Sequence, residues 1–110
     1  LLRQVWINLL NNAIRYTPPG GEIGVELRQV GGEAVVRVWD TGSGMTPEVQ
    51  SHIFEKYYQG AAEDKKHGLG LGLSIVHRII ELTEGRIEVD SQPQQGSSFT
   101  VYLPLNQKGA

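Results

Sequence analysis

Residues 1–16, LLRQVWINLLNNAIRY, repeat apolar side chains at helical spacing over most of the circumference, leaving Gln4, Asn8, Asn11, Asn12 and Arg15 as a narrow polar stripe. Thr17-Pro18-Pro19-Gly20-Gly21 stops this helix. From Ile23 the period changes to two, with Ile23, Val25 and Leu27 on one face, and after a Gly31-Gly32 turn AVVRVWD repeats the pattern, which predicts a hairpin. In its second strand Val36, Val38 and Asp40 share a phase, so the last inward position is a carboxylate. DTGSGM follows as a tight loop. Thr46 as N-cap, Pro47 at the first helical position and Glu48 in the first turn then predict a short helix through about Phe54. Residues 56–67 carry no periodicity and are small and charged, the profile of a mobile surface loop. GLGLGLSIVHRIIELTEG is a glycine-rich entry into a helix from about Gly70 to Thr83, with Gly85 as C-cap. RIEVDS, with Ile87 and Val89 inward, and SSFTVYLP, with Phe99, Val101 and Leu103 inward, predict two final strands. This order of elements predicts an α+β fold, a two-layer sandwich whose mixed, mostly antiparallel sheet is covered on one face by helices.

The 110 residues suffice for one domain, and Leu1 falls inside an apolar pattern, so the chain looks cut from something longer. A net charge of −2 offers no basic field for nucleic acid or an anionic membrane, so any phosphate must be caught locally. No apolar run approaches the roughly 18 residues of a membrane helix and no signal peptide is visible, which points to the cytoplasm. The absence of Cys removes disulfides, thiolate metal sites and thiol catalysis together. Glycine is the unusual number: 14 residues, placed either for disorder or where side chains would obstruct.

Each candidate group has two readings from local sequence. GLGLGL fits neither a P-loop nor a dinucleotide fingerprint, yet it sets backbone N–H groups at a helix start, where an anion is favoured; a plain turn before a packed helix is the alternative. Asp40 either caps its loop through the backbone of residues 41–44 or accepts from a ligand's amino group, with Gly42 and Gly44 keeping the floor clear. Asn8 and Asn12, one turn apart, either face water or present amide oxygens to a hard cation such as Mg2+, with Arg15 one turn on able to reach the same phosphates. His52, His67 and His77 stand in no metal-ligand spacing, and Trp6, Phe54, Tyr57 and Tyr58 are core or rim aromatics.

Taken in order, NLLNNAIRYT, DTGSGM, IFEKYYQ, GLGLGLSIV and GSSFTVYLP resemble the N box, first glycine box, F box, second glycine box and terminal strand of the ATP-binding domain of sensor histidine kinases, in the superfamily of gyrase, Hsp90 and MutL. The resemblance runs from Leu2 to Leu105 and implies a single ATP-binding catalytic domain over residues 1–110, truncated at its N-terminus, with a mobile ATP lid over residues 56–69. By that resemblance Asn12 matches the Mg2+-binding Asn, Asn8 the polar position one turn before it, and Arg15 and Tyr16 a phosphate contact and a nucleotide-facing aromatic. Asp40 matches the carboxylate that accepts from the adenine 6-amino group, and Gly42 and Gly44 the floor beneath it. Gly68, Gly70 and Gly72, with Leu69 and Leu71 in the same run, match the lid hinge and the backbone against the phosphates; Phe54 matches the lid anchor and Ser97 a pocket-lining position. Lys56 stands at a phosphate contact where the family often has Arg, Gln59 replaces another Arg, and Leu69 stands where Thr is frequent.

ATP-hydrolysing relatives carry Glu where this chain has Asn8, an amide without basicity near neutral pH, so the resemblance favours phosphoryl transfer to a histidine over hydrolysis, with Asn8, Asn12 and Lys56 as the catalytic set. None of the three His has an acidic residue after it as the family's phosphoacceptor does. The resemblance therefore implies a nucleotide-binding fragment with little turnover of its own, with ATP and Mg2+ bound. Its partners would be the helical-hairpin phosphoacceptor domain of a dimeric parent kinase, membrane-anchored or not, and a response regulator downstream. The competing readings are a degenerate interaction module of the same fold and a superfamily ATPase.

Overall fold

A computed structural model of the protein describes residues 2–54 and 72–105. The calculated elements follow the predicted order: α1 (Leu2–Tyr16), β1 (Ile23–Val30), β2 (Glu33–Asp40), α2 (Pro47–Gln50), α3 (Gly72–Leu82), β3 (Arg86–Gln92) and β4 (Gly96–Pro104). Residues 56–69, expected as a lid, lie outside the described residues, among them Lys56, Tyr57, Tyr58, Gln59, His67, Gly68 and Leu69, as do Gly70 and Leu71.

Two-residue periodicity pairs the strands, and every described pairing is antiparallel, in the order β1-β2-β4-β3. The register stacks the helix-facing side chains into rows. Leu27, Val36, Val101 and Ile87 form one row, Val25, Val38, Phe99 and Val89 the next, and Ile23, Asp40, Ser97 and Ser91 the third. α1 and α3 pack on each other, α1 against β2 and α3 against β3. Val5, Leu9 and Ala13 of α1 and Val76, Ile79 and Ile80 of α3 close the core on Val38, Phe99 and Val101, with Ile53 at its margin. Burying these side chains is worth on the order of 1.5–3 kcal/mol each for the larger ones.

Two exposures and one boundary go beyond what the residue spacing predicts. α1 carries apolar side chains over most of its circumference, yet only the 5-9-13 ridge is fully covered; Ile7 and Ile14 are 45% and 61% exposed. β1 is likewise open, with Val25 and Leu27 55% and 73% exposed, because the described helices sit over the strands beyond it. α2 stops at Gln50 instead of Phe54. Thr46 caps it as expected by accepting from the Val49 N–H at 3.2 Å, but the Ser51 hydroxyl donates to the Glu48 carbonyl at 2.7 Å, the acceptor that the next helical N–H would need. The His52 N–H turns to Val49 instead, at 3.0 Å.

α3 ends in a Schellman motif one residue earlier than expected. Glu84 takes the left-handed conformation (φ 63°), its N–H bonded to Glu81 and that of Gly85 to Ile80, both at 3.0 Å. Gly85 is required for a different reason: a Cβ there would collide with the Tyr102 carbonyl oxygen of β4. Gly85→Ala is therefore expected to cost about 1–3 kcal/mol in urea unfolding, whereas Gly32→Ala, which points into open space, stays within about 0.5 kcal/mol.

Candidate functional site

The third sheet row is where the helix-facing surface turns polar. Asp40 ends β2, Ser97 sits opposite it on β4 and Ser91 opposite that on β3, with Asp40 only 7% and Ser91 5% exposed. A buried carboxylate needs hydrogen bonds, and Asp40 has them: Oδ1 accepts from the Gly42 N–H at 2.8 Å, and the carboxyl also accepts from the Ser97 backbone N–H. Burial nevertheless raises the Asp40 pKa above its ordinary value, and the two N–H donors only partly offset that. A carboxylate has about four acceptor positions, so these two bonds leave capacity for a ligand donor. Loop capping, one of the two readings of this residue, is present and does not exclude the other.

The glycine loop after Asp40 is wedged between α1 and the β3–β4 turn. The Ser43 N–H donates to the Tyr16 carbonyl at 3.2 Å, and the Gln94 N–H donates to Ser43. A Cβ on Gly42 would strike the Tyr16 carbonyl oxygen; one on Gly44, whose φ is +68°, would strike that of Gln92. Both glycines are thus required by chain packing, whatever lies above them.

About two turns before Tyr16 on α1, the Asn8 amide donates to the Gly72 carbonyl at 3.4 Å, so the polar stripe runs from the start of α3 to the glycine loop. Asn8 to Tyr16 spans eight residues of α-helix, about 12 Å, the scale of an extended nucleotide. Asn12 is half-buried midway along the stripe, Arg15 is exposed beyond it, and the N-terminus of the 11-residue α3 faces its beginning. Direct contacts thus tie Asn8 to Gly72 and Tyr16 to the loop of Gly42 and Gly44, Asp40 stands opposite Ser97, and Asn12 lies between Asn8 and Tyr16 on α1. Phe54 packs on the core margin, its ring 5.1 Å from that of His77.

Two residues of this region escaped the sequence. Ser91 continues the inward phase of Ile87 and Val89, so a polar residue in an apolar series was its readable signal. Gln50 left none: its Nε2 donates to the carbonyls of Met45 at 3.1 Å and Ser91 at 3.0 Å, partners distant in sequence or hidden in a loop. A hollow of about 290 Å³ at the same end of the sheet reaches Asp40, Ser91 and Ser97 of the polar row and is also lined by Arg37, Trp39, Asp90 and Ser98, which alternate to the face away from the helices.

Among the described residues no three His, Cys, Asp or Glu gather into a metal cage. A single half-buried amide, Asn12, fits Mg2+ only where phosphate oxygens and water complete the shell, which is how this ion usually binds nucleotides. No helix among the described residues is long and apolar enough to cross a membrane.

An antiparallel sheet covered on one face by helices is the α+β architecture of histidine kinase catalytic domains. The chain belongs to the family of histidine kinase-, DNA gyrase B- and HSP90-like ATPases, whose model matches residues 1–107. It is 46% identical over 106 residues to the adaptive-response sensory kinase SasA of Microcystis aeruginosa, covering 96% of this chain and 28% of that one. It is 38% identical over 105 residues to the circadian input-output histidine kinase CikA of Synechococcus elongatus, covering 94% and 14%. Among solved structures it superposes on the mycobacterial sensor histidine kinase MprB with a TM-score of 0.79 at 33% identity, over 92% of this chain and 68% of that one. Full-length ShkA in complex with AMPPNP gives 0.81 at 34%, over 94% and 21%. The chain thus spans about a quarter of the SasA relatives it matches.

The raised Asp40 pKa fixes a sign. Its ionised form is disfavoured in the fold, so its contribution to stability is full below the unfolded pKa and is lost as pH rises through the folded one. The unfolding free energy of the wild type minus that of Asp40→Asn is expected to fall as pH rises from about 4 to about 8. A difference that rises over that range contradicts the assignment.

Proposed function

We propose that this chain binds Mg-ATP in the trough between α1 and the polar sheet row and presents the γ-phosphate to a histidine on a separate domain of a sensor kinase. The observation that supports the reading is that the Asn8–Gly72 and Tyr16–Ser43 hydrogen bonds join the α1 polar stripe to the start of α3 and to the Asp40 loop. Family membership and the AMPPNP complex of the similar ShkA support it.

In this reading Asp40 accepts from the adenine 6-amino group, and the loop of Gly42 and Gly44 carries the base. Ser97 lines the pocket, and Tyr16 borders it at the end of α1. Asn12 would hold Mg2+ through its amide oxygen, and the ion supplies neutralisation of phosphate charge when bound. Arg15 contributes charge at the phosphates, and the N-terminus of α3, beginning at Gly72, faces the same anions. Residues 68–71, including Leu69 and Leu71, and Lys56 complete the phosphate side, and Phe54 anchors the entry to the lid.

The transfer needs alignment more than acid–base chemistry: an imidazole nitrogen of the acceptor attacks the γ-phosphorus as its bond to the bridging oxygen breaks, and ADP leaves. Asn8, an amide, cannot deprotonate water, so a competing hydrolysis has no base at that position. The acceptor is a helical-hairpin domain of a dimeric parent kinase, and a response regulator receives the phosphoryl group downstream. The domain works on the cytoplasmic side.

Calorimetry with ADP tests the reading. The wild type is expected to bind in Mg2+, and Asn12→Ala to lose about tenfold there with little change in chelator, a difference of about 1.4 kcal/mol. Equal losses in both conditions reject the metal role, and absence of binding by folded protein at millimolar nucleotide rejects the site. Supplied with a separate phosphoacceptor domain, the chain is expected to yield phosphohistidine from ATP; steady phosphate release by the chain alone would instead mark an ATPase.

A further inference from the structure

Nothing in the roles above uses Gln50 or the buried Ser91, yet both side chains are fully engaged with the adenine floor. The loop between β2 and α2 has no strand partner, so its backbone groups must be satisfied from outside. Met45 is the point where this is done by side chains alone. Its N–H donates to Ser91 Oγ at 2.8 Å, and its carbonyl accepts from Gln50 Nε2 at 3.1 Å.

The same two residues are tied to each other and onward. Gln50 Nε2 also donates to the Ser91 carbonyl at 3.0 Å, using both amide protons and joining α2 to β3. Ser91 Oγ lies 3.1 Å from the Gly96 carbonyl and 2.8 Å from Ser97 Oγ. One arrangement of protons satisfies every group: Ser91 donates to Gly96 and accepts from both Met45 N–H and the Ser97 hydroxyl, filling its two lone pairs. Ser97 in turn holds Asp40 through its backbone N–H. α2 is four residues long, too short to hold its own place, so this network sets where its C-terminal end meets the loop.

We infer that Gln50 and Ser91 are positioning residues for base recognition: they lock the Met45 backbone, and through Ser97 the Asp40 carboxyl, in the geometry that selects an adenine over a guanine. The inference rests on the adenine role of Asp40 proposed above. An exocyclic amino group at position 6 donates to that carboxylate, whereas the guanine oxygen there repels it, so discrimination depends on where the carboxyl and the floor are held. A merely structural role would lower stability and leave the discrimination intact.

The test compares ADP and GDP affinities of the wild type, Gln50→Leu and Ser91→Ala by calorimetry in Mg2+. Gln50→Leu keeps the bulk and removes both donors. Each variant is expected to bind ADP about three- to tenfold more weakly while GDP affinity changes little, so that the ADP preference narrows by the same factor. Unchanged preference in folded variants, or equal loss for both nucleotides, overturns the inference. A wild type that itself fails to prefer ADP instead overturns the adenine role on which it rests. Amide exchange of the wild type without nucleotide gives a readout independent of whether the variants fold: the Met45 amide is expected to be protected, and exchange at the rate of an open loop contradicts the clamp.

Discussion

A carboxylate placed at the end of a core strand is the constraint from which the rest of this site follows. Two rows of the sheet present aliphatic and aromatic side chains to α1 and α3, and the third presents Asp40, Ser97 and Ser91. A buried carboxyl without partners would cost several kcal/mol. The chain therefore turns sharply after Asp40 to bring the Gly42 N–H back to it, and β4 starts where its Ser97 N–H can reach the same group. The turn in turn requires glycine, because it runs against the end of α1 on one side and the β3–β4 connection on the other.

In the proposed reading, the same geometry lets a domain without a net basic charge hold a triphosphate. The features proposed to bind the anion are local: the N-terminus of α3, one amide on α1 and the cation one turn further on. Each contributes modestly, and their alignment along about 12 Å of α1 is what makes them a site. In that reading the base is held at the other end of that span by the buried Asp40 carboxyl, which accepts from the Gly42 and Ser97 N–H groups.

Much of this was legible in the chain because periodicity is a local signal. α1, the hairpin, β3 and β4 announced themselves by spacing, and the inward phase of Asp40 was visible beside Val36 and Val38. The five ordered motifs carried the family, which the match over residues 1–107 bears out. What stayed hidden depended on distant partners. The exposure of Ile7 and Ile14 reflects where the helices sit on the sheet, and the early end of α2 reflects a single serine hydroxyl competing for a carbonyl. Gly85 looked like a left-handed cap, but its neighbour Glu84 took that conformation because the glycine was needed against Tyr102. Gln50 gave no pattern at all, since its meaning lies in two carbonyls that only the fold brings together.

The central claim is that nucleotide approaches the polar row of Asp40 and Ser97 from the helix-facing side and not from the side of Arg37, Trp39 and Asp90, which line the hollow that reaches the same row. The most direct measurement is a backbone and side-chain amide NMR titration of the chain with Mg-ADP. The account predicts the largest shifts at the Gly42, Ser43 and Gly72 amides and the Asn12 side chain, with the Trp39 indole unmoved. Shifts centred on Arg37, the Trp39 indole and Asp90, with Gly42 and Asn12 unmoved, would contradict it.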